Sequence, residues 1–313
     1  MAYPFQSSES GRLFNRMWKR VAGSGIQIRN RMCRPWRRCS QPLARSMRTA
    51  LGNRAYRRDG RKVLFEPLEP RLLLSADPLL AYTAPEESSD LLLRVGEEDG
   101  VAMLELLDQS QASPTVIAQQ VLQETGAGEI VITGSSLDDS LTIDQSVLDD
   151  ESLVVRFDGG QGSDTLVGPE SGAHWEVLSA GTGSLGNTIF EGIENLAGGS
   201  GGDTLAGPSE DTTWNVTGEN AGDVAGVAFS GMENLSGAAD NEDTFVLQSG
   251  ATLDGLLDGG GAGFDTLVVE GDYAAVSYTA TGPDSGTVAL DDTTIYFAGL
   301  EPITLSRTDD LII

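Results

Sequence analysis

The chain has 313 residues, and its charge separates into a basic N-terminal tail and a very acidic remainder. Residues 1–72 contain 17 of the 20 Lys and Arg residues, whereas residues 73–313 contain three basic residues against 43 acidic ones. The acidic part repels phosphate, so nucleic acid is not expected as its partner and cations are favoured. No apolar run reaches the roughly 18 residues that a membrane helix needs, and the tail lacks the apolar segment of an ordinary secretory signal peptide.

Residues 1–62 are rich in Arg and poor in acids, which predicts a disordered basic leader. One alternative is a short amphipathic helix from Arg12 to Val21 that contacts a membrane surface or nucleic acid. Both interpretations start from the same charge pattern, so the sequence leaves them open.

Residues 63–78 form a proline-braced segment that contains the string LEPRLLLSA, beginning at Leu68. This string closely resembles the LEPR-XLL motif, which follows a basic leader in large repetitive surface or secreted bacterial proteins. The residues that match the motif are Leu68, Glu69, Pro70, Arg71, Leu73 and Leu74. The resemblance implies a bacterial protein that is extracellular or on the outer cell surface.

Residues 79–128 are predicted to form a β region that precedes and caps the repeats. The segments 91–95 and 101–107 flank a Gly-containing turn and predict a hairpin, and 114–121 predicts another strand. The apolar residues of 129–133 predict the first strand of the acidic repeat region, which covers 129–313.

The acidic region repeats itself at a fixed spacing. Trp175 to Gly198 aligns without a gap on Trp214 to Gly237, at an offset of 39 residues, and a third, weaker copy ends near Phe297. Repeat units lie near 137–198, 199–260 and 260–301. A fixed period with Gly-rich turns and short β-prone segments predicts an all-β fold, a parallel β-roll or β-solenoid, with two coils in each 39 residues.

Three stretches fit the nine-residue pattern G-G-x-G-x-D-x-U-x, in which U is a large apolar residue. They begin at Gly159, Gly198 and Gly260, and a degenerate fourth begins at Gly237. The pattern resembles the calcium-binding nonapeptides of hemolysin-type (RTX-like) parallel β-rolls. The resemblance implies weakly bound Ca²⁺, because turn carbonyls and carboxylates are the hard oxygen ligands that this ion prefers. The ligands implied are Asp164, Asp203, Asp243 and Asp265, with backbone carbonyls of Gly160, Gly162, Gly199, Gly201, Gly261 and Gly263.

The nonapeptides have a second interpretation that needs no ion. Full matches are single rather than tandem, so each Gly-Asp corner can simply be a tight turn between strands. Trp175 and Trp214, at equivalent repeat positions, are predicted core residues, with sugar stacking as the alternative.

Enzyme signatures are missing from the sequence. The single histidine, His174, excludes an H-E-x-x-H zinc protease, and no G-x-S-x-G elbow is present. The terminal sequence Asp309-Asp310-Leu311-Ile312-Ile313 resembles the C-terminal export signal of type I secreted proteins. The alternative is that the chain is the front part of a longer gene product.

Together these features predict a non-enzymatic, adhesin-like structural or binding module that is secreted or displayed at the cell surface. Its expected partners are calcium, a secretion apparatus, and a carbohydrate or protein of a cell surface or matrix. Two alternatives are a carbohydrate-active β-helix enzyme and a membrane-associated or nucleic-acid-associated protein that acts through the basic tail.

Overall fold

The computed structural model describes residues 77–122, 128–308 and 311–312. The basic leader, the LEPR-XLL residues Leu68 to Leu74, and the acidic pair Asp309 and Asp310 therefore lie outside the described residues. The described part is nearly all-β, as predicted, with 25 strands and one four-residue helix.

The strands and the helix have the following bounds in chain order. They are β1 (Leu80–Thr83), β2 (Asp90–Glu98), β3 (Val101–Asp108), β4 (Thr115–Val121), β5 (Gly128–Thr133), β6 (Ser140–Ile143), α1 (Gln145–Leu148), β7 (Leu153–Asp158), β8 (Thr165–Val167), β9 (His174–Ser179), β10 (Thr182–Leu185), β11 (Thr188–Glu191), β12 (Asn195–Ala197), β13 (Thr204–Ala206), β14 (Thr213–Gly218), β15 (Ala221–Val224), β16 (Val227–Ser230), β17 (Asn234–Ser236), β18 (Thr244–Leu247), β19 (Leu256–Asp258), β20 (Thr266–Tyr273), β21 (Val276–Ala280), β22 (Gly286–Leu290), β23 (Thr293–Ala298), β24 (Ile303–Thr308) and β25 (Leu311–Ile312).

The strands form two large, mostly parallel sheets. The first sheet has 13 strands in the spatial order β1-β5-β7-β11-β10-β9-β13-β17-β19-β23-β22-β21-β25. The second sheet has 12 strands in the order β24-β20-β18-β14-β15-β16-β12-β8-β6-β2-β3-β4.

The chain passes repeatedly from one sheet to the other. For example, β5 and β7 are parallel neighbours in the first sheet, with Ile130 opposite Val155, while β6 and β8 are parallel neighbours in the second. Each return therefore places a new strand beside an earlier one of the same sheet, and the passage through the other sheet is the crossover connection that parallel neighbours need.

Alternating side chains place the core between the two sheets. In β7, Leu153, Val155 and Phe157 are buried, whereas Val154 and Arg156 between them are exposed. This period of two is what a strand with one buried face requires. Trp175 and Trp214 belong to the same buried cluster, so their predicted place in the core is confirmed.

Antiparallel meanders interrupt the parallel pairing. Four three-stranded meanders alternate between the sheets, namely β2-β3-β4, β9-β10-β11, β14-β15-β16 and β21-β22-β23. The first confirms the hairpin predicted in the cap region, with the turn residues Asp99 and Gly100 at φ 52° and 81°. Two consecutive residues with positive φ are typical of tight hairpin turns.

The meanders also correct the predicted coil count. Trp175 lies in β9 of the first sheet, but its equivalent Trp214 lies in β14 of the second. Between them the chain crosses from sheet to sheet three times, through β12 and β13. The prediction of two coils in 39 residues is therefore wrong, because an odd number of crossings places equivalent residues in opposite sheets.

Within the described ranges, no helix is both long enough and apolar enough to span a membrane.

Candidate functional site

The site considered first is a set of five aspartates, which we call the corner carboxylates. Each directly precedes a strand at a turn between the two sheets, and each is buried. They are Asp139, Asp164, Asp203, Asp243 and Asp265. Sequence reasoning identified all of them as candidate ligands except Asp139, whose corner, Gly134 to Asp139, has only the first of the three glycines of the motif.

Four neighbouring corners are joined by three acidic side chains where the chain passes from the first sheet to the second. The backbone N–H of Ser89 donates to Oδ1 of Asp139 at 2.7 Å. The N–H of Asp139 donates in turn to Oδ1 of Asp164 at 2.7 Å, and the N–H of Asp164 donates to Oε2 of Glu194 at 2.9 Å. Each carboxylate thus binds the backbone of the preceding corner in the stack.

The same arrangement recurs further along this set of corners. The N–H of Thr212 donates to Oδ1 of Asp243 at 2.9 Å, and the N–H of Asp243 donates to Oδ1 of Asp265 at 2.8 Å. The structure therefore brings Asp164 together with Asp139, and Asp243 together with Asp265.

Asp203 lies at a corner of the opposite kind, where the chain returns from the second sheet to the first. Its Oδ1 accepts the N–H of Ala173 at 2.9 Å and the indole Nε1–H of Trp175 at 3.2 Å, and its Oδ2 accepts the N–H of Gly199 at 3.1 Å. The odd number of sheet crossings in the repeat separates Asp203 from the other predicted ligands.

The shared phrases IENL and MENL have a role that sequence reasoning missed. Oε2 of Glu233 accepts the N–H of Asp203 at 2.7 Å, while Nδ2 of Asn234 donates to the carbonyl of Asp203 at 3.2 Å. Glu194 and Asn195 hold Asp164 in the same way. The signal in the sequence is the constant 30-residue separation of each Asp from its Glu, which becomes meaningful only once the stacking is known.

At the corners of Asp164 and Asp265, the backbone N–H that follows the first glycine donates to an aspartate other than the corner carboxylate. In the other corners a loop amide caps the second oxygen of the aspartate, as the N–H of Ser135 does for Oδ2 of Asp139 at 2.6 Å. Where the sequence reads D-G-G, the amide of Gly160 instead donates to Asp158 at 3.1 Å, and that of Gly260 donates to Asp258 at 3.0 Å. As a result, Oδ2 of Asp164 is buried without a hydrogen-bond partner.

The glycines proposed as carbonyl ligands have steric reasons for being glycine. Gly160, Gly162 and Gly263 have φ of 97°, 126° and 101°, a region that other residues rarely adopt. At Gly199 and Gly201, an added Cβ would collide with the backbone of the neighbouring corner at Pro169 and Gly172. Close stacking of corners therefore explains five of the six positions, and Gly261 has open space around it.

The electrostatics of the corners are unfavourable to ionised acids. Burial raises the pKa of Asp164 to about 6, and the charges of Asp139, Glu194 and Asp138 add to the increase, while the hydrogen bond from Asp139 opposes it. Burial is also the largest cause of raised pKa values at Asp203, Asp243 and Asp265. The ion pairs of the described residues, Arg94–Glu105 and Arg156–Glu129, lie elsewhere.

The fit of these residues to Ca²⁺ differs between corners. Both carboxylate oxygens of Asp139, Asp203 and Asp243 already accept N–H groups, which leaves a donor set unsuited to an ion there. Among the described residues, no three His, Cys, Asp or Glu side chains are grouped so as to hold a metal. Oδ2 of Asp164 is a buried carboxylate oxygen without a hydrogen-bond partner, and calcium binding stays a prediction.

A shallow groove on the outer face of the first sheet is a second candidate, which no sequence motif indicated. It has a volume of about 370 Å³, and its lining includes the apolar residues Val131, Leu178 and Ile189. Arg156, Asp158 and Glu191 also line the groove, so it carries both positive and negative side chains.

Comparison with known proteins identifies no relative: no protein-family model, curated protein or solved structure matches the chain.

Proposed function

We propose that the chain is a structural or adhesive module of a secreted or surface-displayed bacterial repeat protein, and that its two sheets form a β-solenoid. The observation that carries this proposal is the hydrogen-bonded series Ser89–Asp139–Asp164–Glu194, in which each corner binds the backbone of the one before it. Stabilisation between adjacent repeats is typical of modules that stack to serve as spacers or binding surfaces.

The acidic composition supports a place outside the cell. Residues 73–313 carry 43 acidic and three basic residues, which oppose compaction by mutual repulsion unless cations screen them. Extracellular calcium supplies such screening, and its weak association stabilises the module. Inside the cell, where calcium is scarce, the same repulsion keeps the chain loose enough for export.

The N-terminal sequence supports the same assignment. The basic leader and the LEPR-XLL string stand in the order found in large repetitive surface proteins, and they serve in sorting or processing. The groove on the first sheet is the surface offered to a carbohydrate or protein of the cell surface or matrix.

Localisation in the native host tests this proposal. Full-length protein is followed in the medium, on intact cells treated with external protease, and in the cytoplasm, beside a variant that lacks residues 1–62. We expect the full chain outside or protease-accessible, and the deletion variant retained inside. Full-length protein that stays wholly cytoplasmic and protected would contradict the proposal.

A further inference from the structure

Strand β4 (Thr115–Val121) is the outermost strand of the second sheet. One of its edges pairs antiparallel with β3, and within the described residues no strand pairs with its other edge. Unpaired backbone N–H and C=O groups along such an edge form a template for another strand.

The chemistry of β4 differs from that of the surrounding chain. No charged residue occurs from Gln109 to Gln123, although residues 73–313 carry 43 acids. Natural edge strands commonly carry a charge that blocks pairing with other molecules, and β4 has none. The pairing of β4 with β3 has a bulge at Ile117, which lies between the residues that pair with Leu106 and Leu107.

Exposed apolar side chains occur along β4. Val116, Ile117 and Val121 are 46%, 40% and 43% exposed. A strand added at this edge would cover apolar surface as well as satisfy backbone groups.

The other sheet edges in the described chain offer less. Strand β1 has four residues and β25 has two, whereas β4 has seven. Strand β24 carries Arg307. Among the described edges, β4 therefore combines length with lack of charge.

We propose that β4 pairs antiparallel with β4 of a second copy of this chain, which joins the second sheets of two molecules into one. Antiparallel pairing of a strand with itself generates a two-fold symmetric, closed interface. Electrostatic repulsion favours this edge over other surfaces, because two strongly acidic bodies repel each other wherever their carboxylates meet. The uncharged stretch is where they approach with least repulsion.

This interface has a characteristic dependence on salt. Ions screen the repulsion between the two acidic bodies but leave the apolar and backbone contacts of β4 intact. Association therefore strengthens as NaCl is added, whereas an interface held by ion pairs would weaken.

Sedimentation velocity of the full-length chain over a range of protein and NaCl concentrations tests the proposal. We expect a dimer whose population grows with both, and a monomer for Ile117→Glu. Leu256→Glu is the matched control, since Leu256 is 38% exposed, close to the 40% of Ile117, and lies in β19 of the first sheet. It should dimerise like the wild type.

Circular dichroism checks that Ile117→Glu retains its fold, and hydrogen exchange locates the interface. The β4 amides that point away from β3 should gain protection when the wild type dimerises. The proposal is overturned if the wild type stays monomeric at every salt concentration, or if Ile117→Glu dimerises as well as Leu256→Glu. Protection of these outward-pointing amides in the monomer would also overturn it, because a segment of the same chain would then cover the edge.

Discussion

The carboxylate of Asp164 accepts the backbone N–H of Asp139 at 2.7 Å, across the gap between two stacked corners. Asp265 and Asp243 repeat the relationship at 2.8 Å. In both pairs a residue that resembles a metal ligand in the sequence acts as a hydrogen-bond acceptor for a neighbouring corner. Hydrogen bonds to charged groups are stronger than those between neutral groups, which makes these acids structural elements of the stack.

Glu233 should be needed to satisfy the amide of Asp203, to which it lies at 2.7 Å. Glu233→Ala leaves that N–H without its partner and should lower the free energy of unfolding by about 1–3 kcal/mol. Glu233→Gln retains an acceptor oxygen and should recover most of the loss. Urea denaturation measures both, with Glu151→Ala, at an exposed turn, as the control. Equal losses for Ala and Gln would show that the acceptor is not the cause.

Acid should stabilise the corners. Burial raises the pKa of Asp164 from its ordinary value of 3.8 to about 6. The folded state therefore binds the proton more tightly than the unfolded state does. The resulting stabilisation is fully present below pH 3.8 and is lost as the pH rises through about 6. The raised pKa values of Asp203, Asp243 and Asp265 act in the same direction.

Melting temperatures on both sides of pH 6 measure this effect. The wild-type Tm should rise as the pH falls through 6, and Asp164→Asn, which cannot titrate, should show a flatter profile. Asp292→Asn, at an exposed position, serves as the matched control. An unchanged slope in Asp164→Asn would rule out this aspartate as the source.

Two glycines make room for the buried tryptophans. A Cβ at Gly168 would overlap the indole of Trp175, and one at Gly207 would overlap that of Trp214. Gly207→Ala should therefore cost about 1–3 kcal/mol of unfolding free energy, the range for overpacking in a core. Gly202→Ala is the control, because nothing lies within 4 Å of the added Cβ. Chemical denaturation that finds the two variants equally stable would show that the indole has room to move.

The sequence indicated the strands well because each signal is local. Alternating apolar residues predicted the hairpin of β2 and β3 and the strands β4 and β5, and all of them are present. The coil count failed because β9, β10 and β11 occupy one sheet. Turn signals at Gly181 and Gly186 marked this meander, and both glycines have positive φ.

The hydrogen-bond partners of the corner carboxylates could not be predicted from the sequence. The nonapeptide pattern identified buried corners, but the partner of each aspartate lies on another turn, 25 residues away for Asp139 and Asp164 and 30 for Asp164 and Glu194. Asp139 was missed because Ser135 and Leu137 stand where the motif has its second and third glycines. A pattern within nine residues cannot specify which amide stacks above a carboxylate.

The most direct test of the structural role of the corner carboxylates is urea denaturation of wild type and Asp203→Asn, each in EDTA and in excess calcium. Asn places an NH₂ group where Oδ2 of Asp203 accepts the N–H of Gly199. The predicted loss is about 1–3 kcal/mol, of equal size with and without calcium, because a backbone contact is lost rather than an ion. An Asp203→Asn variant that matches the wild type in EDTA and falls behind only in calcium would contradict this account.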